Sequence, residues 1–200
     1  MKYTDNVTST GIHIVWPSSI FMSQYILSEL GLTLHNQPLL EIGCGLALPS
    51  LVALKYHSAK CIVSDKDINI LQPYIKHSAL LNEMTCDFSF VGLNWAAFDP
   101  LLVQTLAKQV KVIIASDCLY DEREYDNFFT LMQQLKEANK EVKALISYED
   151  RGAFDCLEEY AGSYGFKLND EINMGFWQRL EAANIASKFS RNCYLFELTI

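Results

Sequence analysis

The chain has 200 residues, half of them apolar and a fifth charged, with 16 basic and 24 acidic side chains and a formal net charge of −8. That length carries a full hydrophobic core, and that composition belongs to a globular chain, not a disordered one. The negative balance argues against broad binding to nucleic-acid phosphates and favours basic partners.

Six cysteines, Cys44, Cys61, Cys86, Cys118, Cys156 and Cys193, are scattered without a CxxC pair or a Cys/His cluster. Zinc would need closely spaced ligands, and a disulfide scaffold would be smaller and denser in cysteine. Buried, reduced thiols are therefore expected, and no metal. Residues 1–10 are polar, which does not fit a signal peptide, and no apolar run approaches a membrane-spanning length. The expectation is a cytoplasmic protein, with the nucleus also accessible, no membrane partner, nucleic acid disfavoured and a monomeric state.

Taken in order, Pro38 to Ile42 (PLLEI) reads as a short buried strand entering a glycine-containing turn. Ala47 to Tyr56 follows with helical spacing, Ala59 to Ser64 is a second strand, and Ile68 to Leu81 a helix interrupted in pattern by Pro73. Asp87 to Leu93 alternates as a third strand, and Val110 to Ser116 (VKVIIAS) is the clearest buried strand. Glu124 to Ala138 is an amphipathic helix with Phe128, Leu131, Met132 and Leu135 on one stripe. Val142 to Tyr148 is a fifth strand, Phe154 to Tyr164 a helix ended by Gly165, and Phe166 to Ile172 and Cys193 to Ile200 two closing strands. Strands alternating with helices predict a parallel, doubly covered sheet, and the last two predict a mixed edge. No linker or repeat interrupts the pattern, so residues 1–200 read as one domain.

Ligands of open α/β sheets bind beyond the carboxyl ends of the strands, at the switch in strand order. After the first strand comes Glu41-Ile42-Gly43-Cys44-Gly45-Leu46-Ala47. Two glycines there allow positive φ and close backbone approach, or simply tight strand–helix packing. Asp65, 20 residues past Gly45, can accept hydrogen bonds from both ribose hydroxyls of a nucleoside, or cap the next helix, a role also open to Asp67. A dinucleotide site usually has a third glycine, where this chain has Leu48, and no GK[ST] of a P-loop exists. An acidic residue before a short GxG suits a cofactor without phosphates and with a cationic part, such as S-adenosylmethionine.

The sequence resembles the seven-stranded S-adenosylmethionine-dependent protein methyltransferases of family 16, the methyltransferase-like lysine methyltransferase group. The matching pieces are Val15-Trp16-Pro17, Leu40-Glu41-Ile42-Gly43-Cys44-Gly45, Ser64-Asp65, Leu93-Asn94-Trp95 and Ala115-Ser116-Asp117-Cys118-Leu119-Tyr120, in order across residues 11 to about 130. With Gly11 to Ser18 and Val91 to Trp95, they are most similar to the methyltransferase-like protein 23 branch. The resemblance implies a Rossmann-like α/β fold: a seven-stranded, mostly parallel sheet with helices on both faces and an antiparallel edge strand. It also implies that Trp16 packs against the cofactor, that Gly43, Cys44 and Gly45 follow its methionine and ribose, and that Glu41 orients the loop or the amino group. Asp65 would hold the ribose, Trp95 border the adenine, and Ser116 present backbone near the methionine. Asp117 and Tyr120 would face the target side chain. Plain core packing is the alternative for both tryptophans. Ala47 departs from the family, whose loop usually carries glycine there.

The expected activity is methyl transfer to a lysine or arginine side chain of a protein. Asp117, ending the strongest buried strand, would recognise the cation and could accept its proton, and Tyr120 would hydrogen-bond the amine or line a channel. Asp121, Glu122 and Glu124 follow at once and can start a helix, where acids favour the dipole; for Glu122 and Glu124 that is the preferred reading. Tyr148-Glu149-Asp150-Arg151 follows the fifth strand on the same edge. Residues 173–192, with Phe176, Trp177 and Arg179, are either a substrate lip or a covering helix. The alternatives are a small-molecule or nucleic-acid methyltransferase on the same fold, against which the absence of an N/D-P-P-Y/F element counts, and a non-catalytic binding module. A nicotinamide oxidoreductase is more distant still.

Overall fold

The computed structural model describes residues 13–85, 88–152 and 154–199. One seven-stranded sheet organises them. Its strands are β1 (Pro38–Ile42), β2 (Lys60–Asp65), β3 (Phe88–Gly92), β4 (Val112–Ser116), β5 (Lys143–Glu149), β6 (Lys167–Asn169) and β7 (Cys193–Thr199), in the order β3-β2-β1-β4-β5-β7-β6. β1 to β5 pair in parallel, and β7 runs antiparallel to both β5 and β6. The mixed edge expected from the last two strands is thus present, with β7 antiparallel one place in from the end.

The helices are α1 (Pro17–Glu29), α2 (Gly31–Leu34), α3 (Leu48–His57), α4 (Ile68–Leu81), α5 (Pro100–Gln109), α6 (Tyr125–Ala138), α7 (Phe154–Ser163) and α8 (Glu171–Ala182). Successive strand residues point to opposite faces, and both faces are covered, so the central strands are mostly apolar, with polar residues such as Glu41, Ser64 and Ser116 near their carboxyl ends. Leu40, Ile42, Ile113, Ala115 and Ile146 join Val103, Phe128, Met132 and Leu157 of α5, α6 and α7 in one core. Leu39, Val112, Ile114 and Leu145 join Phe21, Ala53 and Phe176 of α1, α3 and α8 in the other.

Three expectations shift. Residues 100–109, unassigned from sequence, form α5: Asp99 caps it by accepting the Leu101 N–H at 2.9 Å, and Pro100 fits the first turn, where its missing N–H costs nothing. The sixth strand is three residues long because Asn169 accepts the Glu171 N–H (3.1 Å) and the chain enters α8. Residues 173–192 are largely this helix and a short 3-10 turn, closing over α1 and β7. Cys44, Cys61, Cys118 and Cys193 are buried free thiols, whereas Cys156 is exposed, and Cys86 lies outside the described residues. No helix among the described residues is long and apolar enough to cross a membrane, and none of their His, Cys, Asp and Glu side chains cluster as a metal site would require.

Candidate active site

The strand order reverses direction between β1 and β4: from β1 the chain adds β2 and β3 on one side, then returns to β4 and β5 on the other. Beyond the carboxyl ends of these strands lies a cavity of about 380 Å³. Such a crevice is where an open α/β sheet binds ligands, and its volume suits a small-molecule cofactor.

The turn after β1 forms its floor. Gly43 (φ +59°), Gly45 (φ +49°) and Ala47 (φ +54°) all occupy the left-handed region. A Cβ on Gly43 would lie 2.7 Å from the Cys118 sulfur and 2.9 Å from Trp95, so only glycine fits there. A Cβ on Gly45 would meet nothing within 4 Å, which leaves its backbone open to a ligand. Ala47 shows why the family loop favours glycine: this chain accepts left-handed backbone at alanine, at a cost of about 1–2 kcal/mol. The Gly45 N–H donates to Asp65 Oδ2 (3.2 Å), the Cys44 N–H to the Ser64 carbonyl (2.9 Å) and the Ser64 hydroxyl to the Glu41 carbonyl (2.9 Å). The loop is therefore tied to the end of β2 at backbone and side chain.

Four polar groups converge on the cavity. Glu41 is fully enclosed, and its Oε2 accepts the Ser50 N–H at 3.1 Å. Burial raises its pKa to about 8, against the opposing Ser50 hydrogen bonds. Asp65 at the end of β2 receives the Gly45 N–H and, at Oδ1, the Asp67 N–H (3.0 Å), and burial again pushes its carboxyl up. It therefore organises the turn into α4 and also lines the cavity; Asp67, the other possible cap, makes no capping side-chain bond. The Ser116 hydroxyl is buried, lines the same space and has no partner among the described residues. Asp117 follows at φ +55°, its N–H still donating to the Ser147 carbonyl (2.9 Å), and it too lines the cavity. Strained non-glycine backbone of this kind concentrates at functional sites.

The walls are aromatic. Trp16, at the N-terminal boundary of α1, and Trp95 both line the cavity. Trp95 also packs edge-on against Phe128 (5.4 Å between ring centres), so core packing and cavity lining are not exclusive for this residue. Tyr120 stands at the rim, over half exposed, and desolvation together with nearby Cys118 and Asp121 raises its phenol pKa. Burial pushes the Cys44 and Cys118 thiols well up, so neither serves as a thiolate nucleophile.

All ten residues singled out from sequence, namely Trp16, Glu41, Gly43, Cys44, Gly45, Asp65, Trp95, Ser116, Asp117 and Tyr120, line this one cavity. Arg151 was not connected to it from sequence. Arg151 Nη1 and Nη2 donate to Asp117 Oδ1 (3.1 Å) and Oδ2 (2.7 Å), Nη2 also lies 3.4 Å from Glu149, and the guanidinium stands 5.6 Å from the centre of the Trp16 ring. The signal available in sequence was an arginine two residues past β5, beside the strand whose end carries Asp117.

The donor set fits S-adenosylmethionine: open glycine backbone, buried carboxylates for an ammonium and a ribose, an unpartnered hydroxyl and aromatic walls around a phosphate-free space. Lys66 also lines the cavity.

The sequence profile of the lysine methyltransferase family matches residues 3–160. The chain is 25% identical to the histone-arginine methyltransferase METTL23 of Xenopus laevis, over 78% of this chain and 65% of that protein. It is 24% identical to the calmodulin-lysine N-methyltransferase of Arabidopsis thaliana, over 88% of this chain and 59% of that one. It thus spans less than two thirds of the length of each of these two relatives. Among solved structures, the O-methyltransferase NcsB1 of neocarzinostatin biosynthesis, in complex with S-adenosylmethionine and 2-hydroxy-5-methyl naphthoic acid, superposes with a TM-score of 0.55. That match covers 90% of this chain and 56% of the other at 13% identity, a likeness of fold alone. The profile covers most of the chain and spans every element that lines the cavity, so the chain belongs to the lysine methyltransferase family.

Proposed function

We propose that residues 1–200 form one S-adenosylmethionine-dependent methyltransferase domain that transfers a methyl group to the nitrogen of a lysine or arginine side chain in a protein. The observation that carries this is the convergence of Glu41, Asp65, Ser116 and Asp117 on one cavity at the β1/β4 switch, in a chain of this family. The relatives named for histone arginine and for calmodulin lysine support a protein acceptor and leave the two nitrogens open.

When bound, the cofactor supplies a methyl group activated by a sulfonium. Asp65 would hold the ribose hydroxyls while its bonds to Gly45 and Asp67 fix its position. Glu41 and the hydroxyl of Ser116 would face the amino-acid end, and Gly43 to Gly45 would let the backbone lie against the cofactor. Trp16 and Trp95 would exclude water from the adenosyl and methionine groups.

On the acceptor side, positioning supplies much of the rate, because the reaction is an in-line displacement. A lysine, near pKa 10.4 in water, must lose a proton before it attacks, whereas an arginine must be oriented and polarised. Asp117 would draw the cation in, orient it and accept a hydrogen bond from the attacking nitrogen, with Tyr120 at the rim. In Asp117→Asn, which keeps a residue tolerant of left-handed backbone, methyl transfer falls by about 10²-fold or more. The test is incubation with tritiated S-adenosylmethionine and histones, calmodulin or a cell extract, then mapping of the labelled residue by mass spectrometry. Label on a lysine or arginine, lost in Asp117→Asn, is expected; label on nucleic acid or a small molecule alone, or full activity in the variant, overturns the assignment.

A further inference from the structure

Asp117 already holds a cation. The Arg151 guanidinium meets its carboxylate as a two-pronged fork, at 3.1 and 2.7 Å, and presents its face to Trp16 at 5.6 Å. A planar donor on a carboxylate, against an indole face, is the arrangement that captures basic side chains. The Asp117 side chain is 2% exposed and the Arg151 side chain 38% exposed. The buried partner is thus the carboxylate, and the cation reaches it from the solvent side. Arg151 contacts both Asp117 and Trp16 without lining the cofactor cavity itself.

Two features make this cation displaceable. Glu149 lies 3.4 Å from Nη2 and offers a second carboxylate, so the guanidinium can leave Asp117 without becoming unpaired. Arg151 also sits in the short turn between β5 and α7, where Asp150 Oδ1 accepts the Gly152 N–H (2.8 Å), the Asp150 N–H donates to the Asn192 carbonyl (2.8 Å) and Gly152 has φ +93°, so the backbone is held while the long side chain, 38% exposed, has room to swing.

We propose that Arg151 is a specificity-determining residue: it occupies the acceptor cation's place at Asp117 and yields it toward Glu149 when a basic acceptor enters. The proposal rests on the methyltransferase reading above. It sets a threshold, since an acceptor sees only the fraction of molecules in which Asp117 is free. A carboxylate free one tenth of the time weakens acceptor binding about tenfold. Isolated small amines then compete poorly, whereas a protein acceptor with further contacts along the rim can displace the guanidinium.

The test uses the full chain with S-adenosylhomocysteine present and n-butylammonium and N-ethylguanidinium as probes, read by the indole N–H NMR signal of Trp16. Arg151→Gln binds a probe at about tenfold lower concentration than wild type, Arg151→Lys falls between, and adding Asp117→Asn to Arg151→Gln abolishes the gain. Equal binding by wild type and a folded variant, or no binding by Arg151→Gln that keeps its affinity for S-adenosylhomocysteine, overturns the proposal. If Arg151→Gln does not fold, Arg151→Lys decides: wild-type-like probe binding, or failure to fold, marks Arg151 as a fixed strut. Failure of wild type to bind S-adenosylhomocysteine would instead sink the methyltransferase reading, and the probe comparison on the bare protein would still judge Arg151.

Discussion

Glu41 is a fully enclosed carboxyl group facing the cavity. Its carboxyl has a pKa of about 8 in the fold against 4.5 as a free side chain. Between those values the folded chain keeps a proton that the unfolded chain releases, so this group makes the cofactor-free protein less stable as pH rises from about 4.5 to 8. Asp65, also raised by burial, acts in the same direction. The fall is at most about 1.4 kcal/mol per pH unit from one group. Glu41→Gln removes that group's share: its urea midpoint at pH 8 exceeds that of wild type, while the two converge near pH 5. Equal pH slopes in the two proteins would show that Glu41 is ionised throughout. The glycine loop, Asp65 and Asp117 were legible in sequence because each requirement is local: left-handed backbone, a strand end, a fixed spacing. The Arg151–Asp117 pair was not, because it joins residues 34 apart, and only the β4–β5 pairing brings their strand ends together.

At the scale of elements, the strands of the sheet centre were readable because burial on both faces leaves short, predominantly apolar runs. Helix α5 was legible yet left unassigned: Asp99 and Pro100 mark its start, and Val103, Leu106 and Ala107 fall at i, i+3 and i+4 on its buried face. Helix α8 could not be told from a substrate lip by composition. In the fold it is a support. Phe176 packs on Phe21 and Tyr25, with ring centres 5.0 and 5.1 Å away, Arg179 pairs with Glu29 at 2.7 Å, and Asn173 accepts the Leu195 N–H at 3.1 Å. It clamps α1, whose N-terminal boundary is Trp16. Phe176→Ala therefore costs about 3–5 kcal/mol of stability, read by urea denaturation, and weakens S-adenosylhomocysteine binding through Trp16. A loss under 1 kcal/mol would mean that α8 is not part of this core.

For the whole molecule, the charge of −8 acquires a location. Asp121, Glu124, Glu149 and Asp150 stand at the strand ends and loops on the edge where Asp117 and Tyr120 meet the rim. A field of that sign attracts cations and repels anions. The sheet order, fixed by parallel crossovers and closed by antiparallel β7, puts the glycine loop, Asp65 and Asp117 at the ends of three neighbouring strands, β1, β2 and β4. If this edge is built around S-adenosylmethionine, as proposed, calorimetric titration with S-adenosylhomocysteine is the decisive experiment. One binding site per chain is expected, weakened at least tenfold in Asp65→Ala while the variant stays folded. A folded wild-type chain that gives no heat of binding would refute the proposal.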